Sequence, residues 1–217
     1  MIFLDRTEAG SRLATLLEEY RAEEPVVLGL VRGGMAVAAE VARSLNAPLD
    51  VLVVRKVGVP GHEELAMGAV ARGTAWLNEP LIAELGIPRA AVERRMAAEN
   101  AEVERREALY REGCPGVPVR GRTVIVVDDG LATGATAVAG VRVLRQLGAR
   151  RIVVAAPVCS VEGRARVARE ADDVVCFTAP VDFGAVSQAY RSFPQLDDDA
   201  VRRYLEAAGN PVPGGTP

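Results

Sequence analysis

The chain has 217 residues, 49% hydrophobic and 25% charged, with a net charge of −3, which suits one well-buried α/β domain of ordinary soluble composition. A mildly acidic balance leaves no electrostatic footprint for nucleic acid, and no apolar run approaches the ~20 residues of a membrane span. The opening Met1-Ile2-Phe3-Leu4-Asp5-Arg6 is charged too early for a signal peptide, and Cys114, Cys159 and Cys176 stand at no metal spacing, so reduced thiols in a cytoplasmic protein are expected.

In chain order, Asp5 or Thr7 can cap a helix carrying Leu13, Leu16, Leu17 and Tyr20 on one stripe, closed by Pro25. Val26 to Leu30 reads as a buried strand, followed by Val31-Arg32-Gly33-Gly34 and a helix from about Met35 to Leu45. Asp50 to Val54 reads as a further strand, ending in Arg55-Lys56. The Gly/Pro-broken polar segment from Val57 to Glu64 then reads as a mobile loop. Lys56 is the one lysine among 26 basic residues, and His62 is the one histidine. A loop histidine can transfer protons, but an exposed, inert side chain is the commoner outcome. Leu65 to Leu77 has strand-like pieces around Gly73, as a hairpin would. Pro88 to Glu112 is charged and Ala-rich with a stripe of Val92, Met96, Val103 and Leu109, so a long helix is expected, its charges either solvated or making a dimer contact.

The most informative stretch is Val124-Ile125-Val126-Val127-Asp128-Asp129-Gly130-Leu131-Ala132-Thr133-Gly134-Ala135-Thr136. An unbroken β-branched run reads as a strand buried on both faces. It stops at two adjacent carboxylates, and after a Gly/Thr/Ala loop the spacing from Ala135 to Leu147 is helical. Unpaired amides and the helix dipole suit the loop to a phosphate, with the Thr133 and Thr136 hydroxyls as added donors. The carboxylates repel a phosphate and suit the hydroxyls of a sugar that carries one. A helix cap or a generic mononucleotide turn is the plainer alternative; a Walker loop is excluded because no Gly-Lys-Ser/Thr follows. Downstream, Arg151 to Ala156 and Asp173 to Phe177 read as strands, Val161 to Glu170 and Asp197 to Ala208 as helices, and Gly209 to Pro217 as a disordered tail. Three of the eight Phe and Tyr rings, Phe183, Tyr190 and Phe193, fall between Pro180 and Phe193.

The acidic pair followed by Thr-Gly-x-Thr resembles the type I phosphoribosyltransferases. The resemblance implies one doubly wound α/β domain over 1–208 with a predominantly parallel sheet and a small C-terminal hood near 178–196. It implies transfer of ribose 5-phosphate from phosphoribosyl pyrophosphate (PRPP) to a nitrogenous acceptor, with Mg²⁺ bound mainly through PRPP rather than by direct protein ligands. Asp128 and Asp129 match the residues that hold the ribose hydroxyls, and Ala132, Thr133, Gly134, Ala135 and Thr136 match the loop for the 5-phosphate. Arg32, Gly33 and Gly34 are similar in kind to the family's pyrophosphate loop. Arg55 and Lys56 stand where the family often has Arg-Lys, which makes Lys56 the candidate catalytic cation on pyrophosphate. Phe183 resembles the hood aromatic that stacks on the acceptor base, although packing of the C-terminal segment is an equal alternative. Ala132 replaces the aspartate that 6-oxopurine enzymes use, and Val158-Cys159-Ser160 lacks their lysine, so the acceptor stays open. A homo-oligomer is compatible with the resemblance. Two rivals remain: a PRPP-sensing regulator, and a hydrolase using Cys159 or Ser160.

Overall fold

The computed structural model describes residues 2–111 and 116–209; Glu112, Cys114 and positions 210–217 lie outside them. Helix α1 (Arg6–Leu16) starts at Asp5, whose carboxylate accepts from the Glu8 amide at 2.9 Å. Leu13 and Leu17 are buried but Leu16 is 41% exposed, and Tyr20 is buried from a short 3₁₀ turn rather than from α1 itself.

Strand β1 (Val26–Leu30), helix α2 (Gly34–Leu45) and strand β2 (Leu49–Leu52) make a parallel crossover unit. The chain then leaves this sheet for an antiparallel one of β3 (Arg55–Val59), β4 (His62–Ala71) and β5 (Thr74–Leu77). The expected mobile loop over 57–64 is therefore a hairpin. Val57 and Val59 bury their branched side chains, Gly61 turns the chain at φ +80°, and register shifts around Gly58 absorb the glycines. Helices α3 (Glu79–Glu84) and α4 (Arg89–Arg111) follow; α3, started by an Asn78 cap and Pro80, was not read from the sequence.

The chain returns with β6 (Thr123–Val127), α5 (Ala135–Gln146), β7 (Arg151–Val158), α6 (Val161–Val167) and β8 (Asp173–Thr178), and closes with α7 (Asp198–Ala207). The main sheet is fully parallel in the order β2-β1-β6-β7-β8. Its side chains alternate between two apolar layers. Val27, Ile125 and Val127 face α1, α2 and α7, while Val26, Leu28, Val124 and Val126 face α5 and α6. The small sheet lies between α4 on one face and α5 on the other.

The two sheets are joined by a buried charge cluster. Asp50 of β2 is 1% exposed and takes Arg111 at 3.1 Å and Arg72 at 3.3 Å, while its Oδ2 accepts from the Val117 amide at 2.8 Å. Arg72 also donates to the Val117 carbonyl. One carboxylate thus ties β2, the β4–β5 turn, the end of α4 and the approach to β6. Among the described residues, no helix is long and apolar enough to cross a membrane.

Candidate active site

From β1 the chain moves to β2 on one side, and on its return it enters β6 on the other, so the strand order reverses between β1 and β6. Such a switch point opens a crevice at the carboxyl ends of the strands. Two loops meet there. Residues 31–33 link β1 to α2, and residues 128–134 link β6 to α5. They touch closely. A Cβ on Gly33 would stand 1.9 Å from Asp129 Oδ2, and one on Gly34 would stand 2.5 Å from the Val127 carbonyl. Only glycines let these loops approach so near.

Both helices leaving the crevice begin without a side-chain cap, α2 at Gly33 and α5 at Gly134, the latter at φ +69°. Their first amides and dipoles face the space beside the acid pair. Ala132, Thr133 and Thr136 are exposed there, and the Ala135 amide meets Thr133 Oγ1 at 3.3 Å. Helix α6 braces the loop from behind: Ser160 Oγ donates to the Ala132 carbonyl, and Gly134 lies against the Gly163 carbonyl. The Val31–Arg32 peptide is cis.

Asp128 and Asp129 differ electrostatically. Burial, with the neighbouring Asp129 charge, pushes the Asp128 carboxyl up to about 8, although its Oδ1 accepts from the Asp129 amide at 2.9 Å. Burial also raises Asp129, but the Arg6 guanidinium opposes it through bonds to Oδ2 at 2.9 and 2.8 Å. Burial thus works against charge on both carboxyls, and of the two only Asp129 has a guanidinium bonded to it to offset that burial.

Arg6 was missed by sequence reasoning. Nothing local marks it, because its partner is 123 residues away. Tyr190 closes the same side, its hydroxyl donating to the Asp129 carbonyl at 2.6 Å. The aromatic richness of 180–193 was a usable signal for that segment. The segment does lie over the strand ends, with Val186 against Gly130. Phe183 is half-buried in a recess of about 180 Å³ with Val158, Thr178 and Ala189.

Neighbours in sequence, Arg55 and Lys56 point to opposite faces of β3. Arg55 pairs with Glu99 of α4 at 2.7 Å. Lys56 lines a cleft of about 440 Å³ with Ala135, Arg142 and Trp76, on the α5 face. Arg32, Gly33 and Gly34 do not line that cleft. His62 is exposed at the tip of the β3–β4 hairpin. The hydrolase reading loses its nucleophiles. Ser160 caps α6, accepting from the Gly163 amide, and the wholly buried Cys159 thiol is held far above its ordinary range by a hydrogen bond with Cys176 and by burial. Both described cysteines are free thiols.

An acid pair at the switch point of a parallel sheet stands between two helices whose N-caps are glycines. The chain belongs to the phosphoribosyl transferase domain family, which it matches over residues 7–191. It is 45% identical over 208 residues to a Mycobacterium tuberculosis protein provisionally named a phosphoribosyl transferase; the match covers 95% of this chain and 47% of that protein. The chain thus spans about half the length of that relative. The crystal structure of TT1426 from Thermus thermophilus superposes with a TM-score of 0.88 at 43% identity, covering 94% of this chain and 98% of that one. A shorter likeness, 46% over 83 residues, links 38% of this chain to 39% of the uracil phosphoribosyltransferase of Clostridioides difficile.

Proposed function

We propose that the protein transfers ribose 5-phosphate from PRPP to a nitrogen of a nucleobase-type acceptor. The observation that carries this reading is the acid pair held between two helix N-termini that lack side-chain caps. In the reaction the bond from ribose C1 to the pyrophosphate oxygen breaks, a bond from C1 to the acceptor nitrogen forms, and that nitrogen gives up its proton. The amides of 132–136 would hold the 5-phosphate, and Arg32 with the 33–34 amides the pyrophosphate. Asp129, paired with Arg6, would accept from the ribose hydroxyls, and Asp128, whose carboxyl is pushed up to about 8, could both donate and accept.

No group of three or more His, Cys, Asp or Glu that could hold a metal occurs among the described residues; Mg²⁺ would be held mainly by oxygens of PRPP, with Asp128 and Asp129 beside the ribose. When bound, it neutralises charge on the departing pyrophosphate.

The decisive experiment is turnover with PRPP, Mg²⁺ and a panel of bases, read as pyrophosphate release. Release with at least one base is expected. Tight PRPP binding without release in any case would favour a PRPP-sensing role instead.

Lys56 stands beside the first turn of α5 rather than beside 32–34, which supports a contact with the 5-phosphate over one with pyrophosphate. Lys56→Ala is therefore expected to weaken PRPP and ribose 5-phosphate alike, by about 10- to 100-fold for a lost charged hydrogen bond. A loss confined to PRPP, measured by calorimetry, would return Lys56 to the pyrophosphate.

Phe183 is the candidate base-stacking ring. Phe183→Ala should remove roughly 1–3 kcal/mol of acceptor binding and leave PRPP affinity unchanged. If Phe183 serves only as packing, the variant loses melting temperature and both ligands together.

A further inference from the structure

Arg6 does more than neutralise a carboxylate. Its Nε and Nη2 reach Asp129 Oδ2 at 2.9 and 2.8 Å, its Nη1 donates to the Pro194 carbonyl at 2.8 Å, and its guanidinium lies 3.7 Å from the centre of the Phe193 ring. The ion pair is sheltered, with 9% of the Arg6 side chain and 15% of that of Asp129 exposed. Phe193 stacks in turn on Tyr190 at 4.9 Å, and Tyr190 donates to the Asp129 carbonyl at 2.6 Å. The N-terminal segment is sewn to the same stretch: Phe3 N–H donates to the Ala189 carbonyl, and Arg191 and Ser192 amides to the carbonyls of Phe3 and Leu4. The closed loop of contacts is Asp129–Arg6–Phe193–Tyr190–Asp129. It joins the sugar-binding carboxylate to the C-terminal segment that also carries Phe183.

We propose that Arg6 is a positioning residue that couples the two sites, holding Asp129 in place for the donor only while the C-terminal segment 190–194 is seated around its guanidinium. This rests on the reading of Asp129 as the ribose acceptor. Arg6 occupies Oδ2, so Oδ1 is the oxygen left for a ribose hydroxyl. Two guanidinium donors converge on Oδ2 and fix where that oxygen sits, which a single ammonium such as that of lysine does less well. The face of the guanidinium is fixed by Phe193, so a change in Phe193 is felt at Asp129 without touching it. The charged and titratable groups around Asp129 are Arg6, Asp128 and Tyr190.

The test uses the full chain and three variants, Arg6→Met, Arg6→Lys and Phe193→Leu, with PRPP binding followed by calorimetry across pH 5–9 and melting temperature recorded for each. Arg6→Met should weaken PRPP by about tenfold or more while inorganic phosphate binding stays as in the parent. Removing the positive charge raises Asp129, so the pH below which PRPP binding is lost should move upward. Arg6→Lys should restore that midpoint but only part of the affinity. Phe193→Leu should weaken PRPP several-fold, and combining it with Arg6→Met should add less than the two single losses together. Folded variants of both residues with parental PRPP affinity and an unmoved midpoint would overturn the proposal while leaving the donor reading intact. Parallel loss of PRPP and inorganic phosphate binding with a collapsed melting temperature in Phe193→Leu and Arg6→Lys would reduce Arg6 to a fold residue and overturn it. A parent chain that binds no PRPP overturns both readings, and its phosphate binding shows which part of the site survives.

Discussion

Replacing Asp128 and Asp129 together with asparagine is expected to cut PRPP affinity by one to two powers of ten, mostly through Asp129, since a hydrogen bond to a charged group contributes about 1.5–3 kcal/mol and one to a neutral group about 0.5–1.5 kcal/mol. The two substitutions should differ in stability. Asp129→Asn leaves the Arg6 guanidinium buried against a neutral amide, so the folded state should weaken. Asp128→Asn should do the opposite at alkaline pH. The folded-state pKa of Asp128 is raised from its ordinary 3.8 to about 8. The protein therefore keeps the full benefit of a neutral Asp128 below about pH 4 and loses it as pH rises through about 8. The asparagine variant escapes that loss. Without ligand it should melt higher than the parent at pH 8.5 and no higher at pH 4. Calorimetry of PRPP binding and melting curves at the two pH values check both halves; unchanged PRPP affinity in the double variant would remove the ribose-binding role.

The second large effect lies away from the crevice. Asp50→Ala is expected to cost about 3–5 kcal/mol of folding stability, the usual result of removing one partner from a buried ion pair. Arg72 and Arg111, each with 11% of its side chain exposed, would be left facing one another without the carboxylate between them. For a domain of this size that corresponds to roughly 6–20 °C in melting temperature. The acid pair and the 132–136 loop do not touch Asp50, so PRPP binding by the folded fraction should survive. Urea unfolding measures the loss; less than about 1 kcal/mol would mean that the cluster is solvated.

What the sequence made legible is what its local chemistry determines. The run from Val124 to Val127 is β-branched and buried on both faces, the carboxylates follow it, and Gly134 sits at the N-cap of α5 with the positive φ that favours glycine. Strand β1 and its Arg32-Gly33-Gly34 turn were equally readable, and the parallel doubly wound sheet follows from them. The β3–β4 hairpin was hidden because Gly58, Pro60 and Gly61 look like a loop until α4 and α5 supply two apolar surfaces for the valines. Opposite faces for Arg55 and Lys56 then follow from strand alternation, a consequence available only once the strand is known. Asp50 looked like the polar end of a strand, because the arginines that neutralise it come from positions 72 and 111. Arg6 carried no local signal for the same reason, its carboxylate partner lying 123 residues away.

The span of the Arg6 contacts bears on how the protein is made. A ribosome delivers Arg6 first, its carboxylate partner 123 residues later and the Pro194 carbonyl 188 residues later. Parallel pairing already makes such topologies slow, since distant segments must meet before any bond is formed. During synthesis, at about 5–20 residues per second, the guanidinium waits in water for many seconds. The loop over 128–134 and helix α5 can be assembled well before residues 190–194 emerge. A nascent chain arrested inside β8 would thus carry the 128–134 loop and α5 but neither the Pro194 carbonyl nor the Phe193 ring that seat Arg6 against Asp129.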